Sequence, residues 1–189
     1  MMPKIQLASG MHIDARSANS QVKMLTALQR LHAEGIAFES LKIGKFCQYA
    51  GVSRATFYRH HQDLQDILAV ELLKQIGAFE HRVDQRTIMD FQNGSALIVS
   101  ALLDARRLWQ LIVWAHAEDR ARSLMIGAVQ RVLITRDYPS ADRTFISEWL
   151  GTALLTFALQ TAQVEPAMPP AKALSLYRTL IPDLPPIVN

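Results

Sequence analysis

Apolar residues recur at three- and four-residue spacing along almost the whole chain, and strand-like alternation is nearly absent. At 100° per residue that spacing gathers them on one side of a helix, so the periodicity predicts an all-α protein. The one hairpin-like dipeptide, Asn93-Gly94, lies between helical patterns and not between alternating runs. Half of the 189 residues are hydrophobic, enough for a well-buried core, and this excludes a disordered chain.

Turn and cap residues divide the pattern. A first helix is expected over about 20–34, with Val22, Leu25, Leu28 and Leu31 inward and Gly35 ending it. A short helix over about 43–50 stops at Gly51, which can take the left-handed backbone a tight turn needs. Ser53 is placed to cap a third helix ending near His61, and Asp63 a long fourth one, with Asp66 as the acid of a capping box. Further helices are expected near 95–103, 107–116 and 119–135, then from Ser140 or Asp142 to about Gln163, and from about 170 to 180. Tyr138-Pro139 and VEPAMPP break the chain between them, and IPDLPPIVN is a tail.

No apolar run approaches the roughly 18 residues of a membrane span, and MMPKIQLASGMHIDARSANS has no apolar core of a signal peptide. The single cysteine, Cys47, excludes an internal disulfide and a cysteine-rich zinc site. A cytoplasmic location without membrane contact is the expectation. Catalytic patterns are missing too: there is no His-Glu-x-x-His, no Gly-x-Ser-x-Gly and no Gly-rich phosphate loop. His116 and Glu118, two apart, do not share a helical face, so they make a poor metal pair. Neither an enzyme nor a bound cofactor or metal is expected.

The charge is uneven. Residues 1–75 hold nine Lys and Arg against six Asp and Glu, whereas residues 76–189 hold eleven of each. Between Glu39 and Asp63 there is no acid, but Lys42, Lys45, Arg54, Arg59, His60 and His61 are there. A local basic surface of this kind suits phosphate. Within it, IGKFCQYA, a turn at Gly51 to Ser53 and RATFYRHH form the pattern of a helix-turn-helix. With Phe57 inward, Ala55 and Arg59 point most nearly away, and Thr56 and Tyr58 lie on the flanks. Arg54 sits in the first turn, and the small Ala55 lets the helix approach base edges.

The segment LKIGKFCQYAGVSRATFYRHHQDLQDIL resembles the DNA-binding domain of TetR/AcrR-type transcriptional regulators, through AGVS at 50–53 and TFYRH at 56–60. The resemblance extends over about residues 20–75; beyond it the chain is similar only in length and helical character. It implies Arg54, Ala55 and Thr56 at bases or adjacent phosphates, Tyr58 at phosphate or a thymine methyl, His60 at phosphate, and Phe57 as the anchor. Lys42 stands where that family has a capping Thr, so it can bind phosphate but not cap, and Ser40 is the substitute cap. Leu64 stands where the family often has Lys. His61 replaces an apolar core residue and is expected to face protein.

The expected organisation is a polar arm over 1–19, a helix-turn-helix domain over 20–66 and a helical ligand-binding and dimerisation domain over 67–189. The candidate DNA-binding residues are Lys42, Arg54, Ala55, Thr56, Tyr58, Arg59 and His60. The implied partners are double-stranded DNA, an unidentified small-molecule effector and a second copy of the chain, paired through the last two helices. Gly151, Thr152 and Ala153 would permit close helix approach there. Trp109, Trp114, Trp149, Phe145, Phe157 and Met125 read as core, some of them lining an effector cavity, and Arg106, Arg107 and Arg120 as solvated surface. The implied function is a ligand-responsive repressor binding a palindromic operator. The alternative is a small-molecule-binding or scaffolding protein whose DNA-binding half is vestigial.

Overall fold

The computed structural model describes residues 15–85 and 91–181. The described residues form nine α-helices, one short 3-10 turn and no strand. The helices are α1 (Ala15–Ala33), α2 (Ile43–Ala50), α3 (Arg54–His60), α4 (Leu64–Asp84) and α5 (Phe91–Asp104). They continue with α6 (Arg106–Trp114), α7 (Glu118–Thr135), α8 (Ser140–Gln163) and α9 (Pro170–Leu180). None is long and apolar enough to cross a membrane. The arm expected over 1–19 lies mostly outside the described residues, but its last five residues belong to α1. The tail after Ile181 lies outside them as well.

A small head is built from α1, α2, α3 and the start of α4. Met24, Leu28, Phe46, Cys47, Phe57, Ile67 and Leu68 are buried together in it. The inward face of α1 runs through Gln21, Met24, Leu28 and Leu31, and Val22 points to solvent at 55% exposure, against the expectation. The physical reason is the helical period: Val22 and Leu31 are nine residues apart, about 180° around the helix, so they cannot share one face. Gln21 takes the inward position instead, and its Nε2 donates to the Ile67 carbonyl at 2.9 Å.

The body is a bundle of longer helices. α8 packs along α7 and also meets α6 and α5, while α9 lies against α5. At Gly151 the α8 backbone comes so close to α7 that an added Cβ would sit 2.7 Å from Ile126 Cα. This glycine therefore serves packing inside the chain, and its Thr152 and Ala153 neighbours are half-buried. Asn93-Gly94 falls inside the first turns of α5, not between helices.

α4 belongs to both parts. Its first turns bury Leu64, Ile67 and Leu68 in the head, and its later turns carry Leu72, Ile76 and Glu80 against the body. Glu80 is buried and meets Arg131 of α7 at 3.3 Å, and burial holds its carboxyl above the usual carboxylate range despite that guanidinium.

Candidate nucleic-acid interface

The exposed face of α3 is assembled by local chemistry. Gly51 closes α2 with φ 64°, and its N–H donates to the Cys47 and Gln48 carbonyls. Ser53 takes extended backbone, and its Oγ accepts the Thr56 N–H at 3.0 Å, so the expected cap is present. Thr56 Oγ1 lies 2.8 Å from the same Ser53 Oγ, which holds the threonine partly inward. Phe57 is completely buried and meets Phe46 edge-on, with ring centroids 6.4 Å apart. With that anchor in place, Arg54, Ala55, Tyr58, Arg59 and His60 are all exposed on one short helix. Tyr58 stands against Phe57 at 5.2 Å, edge to face, with half of its surface still open.

Lys42 is also exposed, at the N-cap of α2, and makes no capping hydrogen bond. Ser40 does not replace it. Its Oγ donates to the Ala37 carbonyl at 2.6 Å, within its own 3-10 turn, so the expected substitute cap is absent. Ser40 belongs to a separate 3-10 turn two residues before the cap position, and the residue at the cap, Lys42, has no acceptor in its side chain.

His61 is buried, as its apolar neighbours require, and both ring nitrogens lack a hydrogen-bond partner. Its ring leans on Phe57 at 5.7 Å. Burial pushes its pKa below the ordinary imidazole value, reinforced by His60 and opposed by Asp66 and Asp63. Leu64 is core, so it offers nothing to an outside ligand. Cys47 is a buried thiol whose pKa burial raises, against the charge of Arg54.

The start of α4 is fixed on two sides. Asp63 Oδ1 accepts the Asp66 N–H at 3.0 Å, and Asp66 Oδ2 accepts the Gln62 N–H at 2.6 Å. The box expected from the sequence is thus present, closing on the residue before the cap. From the body, Arg120 of α7 donates to both Asp63 and Asp66. Arg120 was expected on solvated surface, and so was Arg106, which instead donates to the Val164 carbonyl and to Glu165. The partners of Arg120 lie more than fifty positions away, beyond the reach of any local pattern.

The aromatic residues of the body divide. Trp109, Phe157 and Met125 are core. Trp114 reaches the head, donating its indole N–H to the Ile36 carbonyl at 2.9 Å and packing against Phe38 and His32. Phe145 and Trp149 are exposed on α8, contrary to the core expectation, and line an open recess of about 450 Å³ with Glu148, Thr152 and Ala153. The space between α4, α6 and α7 is filled by Leu68, Leu72, Ile112, Ala117 and Ala121, leaving no room for a water molecule. The described residues hold no cluster of three or more potential metal ligands.

No family model matches the chain, and no curated protein matches it. Among solved structures it is similar to the crystal structure of the Listeria innocua protein Lin0861. The two share 27% identity and a TM-score of 0.85, over 95% of this chain and 97% of that one.

Proposed function

We propose that the protein is a DNA-binding transcriptional regulator, a ligand-responsive repressor that reads a palindromic operator as a homodimer. The observation that carries this reading is the exposed, acid-free face of α3, with Arg54, Ala55, Tyr58, Arg59 and His60 raised on a helix that Phe57 anchors. Such a helix in the major groove would use Arg54 and Arg59 on phosphates and base edges, and Ala55 would allow close approach. Thr56 is left with its methyl and a shared hydroxyl. Lys42, at the exposed start of α2, would meet the neighbouring phosphate.

One such helix covers few base pairs, so a two-fold pair of heads is the economical reader. Support for pairing comes from the apolar side chains left open on the last two helices: Phe145 and Trp149 on α8, Leu176 and Leu180 on α9. An effector would act by favouring one arrangement of head and body over another. Since α4, α6 and α7 are closely packed, a drug-sized effector would have to separate α7 from α4.

The test is a fluorescence titration against the duplex upstream of the protein's own gene, beside a random duplex, at several salt concentrations. Specific binding should exceed random binding by about a thousandfold or more, and both should weaken steeply with salt. Arg54→Ala and Tyr58→Ala should each lose roughly 1–3 kcal/mol of DNA affinity, Arg54→Ala with the melting temperature unchanged and Tyr58→Ala with only the small drop expected from its lost contact with Phe57. Equal affinity for the two duplexes would sink the proposal.

A further inference from the structure

The corner between α6 and α7 carries more head-to-body polar ties than any other described part of the body. Trp114, at the end of α6, donates to the Ile36 carbonyl. His116 Nε2 lies 2.7 Å from Glu39 Oε1, and its backbone has a positive φ of 51°. Gln65 of α4 donates in the other direction, to the Ala115 carbonyl at 2.8 Å and the His116 carbonyl at 3.1 Å. Arg120 then spans Asp63 and Asp66. Beneath these contacts Ala115, Ala117 and Ala121 are buried, and Leu68 and Leu72 of α4 border the same filled space.

The position of the corner gives it leverage. Asp63 caps α4 and stands three residues after the end of α3. α3 itself packs chiefly on α2. α2 packs on α1 and α1 on α4, so α3 is carried by the head as a unit, and the first turn of α4 within that head is gripped by a guanidinium from α7. A planar fork engaging two carboxylates fixes direction as well as distance.

We propose that this corner is a latch that sets the orientation of the head against the body, with Arg120 as its positioning residue. Its effect on DNA affinity rests on the function proposed above; the latch itself does not. Arg120 would touch no DNA, and its removal would act through the angle at which α3 is presented.

Spin labels at Lys23→Cys in α1 and Gln160→Cys in α8, both exposed, read the head-to-body distance in the full chain. Cys47 is buried away from the reagent. Arg120→Ala should broaden the distance distribution. Arg120→Lys, which keeps the charge and loses the fork, should broaden it less. Gln65→Ala should resemble the lysine variant, and these two carry the measurement if Arg120→Ala does not fold. A distribution unchanged in every folded variant overturns the latch. On operator DNA, Arg120→Ala should bind about tenfold more weakly, the size of a typical coupling. If the unsubstituted chain binds no DNA, the proposed function fails and the distance measurement still decides the latch.

Discussion

In the head, α3 is 7 residues long and depends on its ends; in the body, α8 is 24 residues long and depends on its sides. α3 has Ser53 at one end, the Asp63 cap just beyond the other, and one buried side chain, Phe57. α8 has no side-chain cap at all, but it buries eight residues, among them Gly151, Leu154, Leu155 and Phe157. A seven-residue helix gains too little from its own backbone bonds to persist alone. Its caps and its single anchor leave the rest of its surface open to a partner. A long helix held along its side needs no cap, and α8 can still leave Phe145 and Trp149 open. The same chain thus holds one exposed helix by its ends and another by its side.

The strongest way to break this contrast is to remove the anchor. Phe57→Ala should cost about 3–5 kcal/mol in chemical denaturation, because one side chain holds the whole of α3. A cost below 1 kcal/mol would mean that the caps alone hold the helix. The matching change in the body adds an atom instead of removing one. Gly151→Ala should destabilise by about 1–3 kcal/mol, since the new Cβ meets the backbone of Ile126 and not a yielding side chain. Better helix propensity of Ala offsets at most about 1 kcal/mol of that. An unchanged or raised melting temperature would show that α7 and α8 can part at little cost.

A smaller effect, of opposite sign, is expected at the uncapped start of α2. Lys42 already has the extended backbone of a cap, so Lys42→Ser should stabilise the chain by about 1 kcal/mol in thermal melts. If Lys42 also meets a phosphate, the same variant should reduce the salt slope of DNA binding by about one. Stability and binding would then move in opposite directions at one residue. No gain in stability would mean that the 3-10 turn before it prevents capping.

The smallest effect is in pH. The unfolded imidazole of His61 takes its proton near the ordinary value of about 6.5, while the buried ring resists it. The unfolded state then binds more protons, so stability should be fully present above about 6.5 and decline as pH falls toward the lowered folded value. His61→Leu should flatten that part of the stability profile and raise the acid limb. Parallel profiles for the two proteins would place the acid sensitivity elsewhere.

Much of the head was legible before any tertiary contact was known. Gly51, Ser53, Asp63 and Asp66 act within four residues of their own positions, and the outward set on α3 follows from one inward residue. The face of α1 was less legible, because a buried Gln21 does not look like core until the Ile67 carbonyl that takes its amide N–H is in place. In α8 apolar residues lie on more than one side, so periodicity could not say which side is covered. Their aromatic character alone puts Phe145 and Trp149 inward, yet they are exposed. Arg106 and Arg120 look like ordinary surface charges until their distant partners are known.

The sequence by itself determined an all-helical chain, the helix breaks, the caps of α3 and α4, and a basic stretch free of acids. Each of these is decided by residues a turn or less apart, whose geometry is the same in any surrounding. Only the tertiary structure decided that Arg120 grips the start of α4, that Gly151 lies on Ile126, and that the space between α4 and α7 is filled. Those outcomes depend on how each helix is rotated and slid against its neighbours. Rotation and slide are set by the packing of all the helices together, and no single segment encodes them.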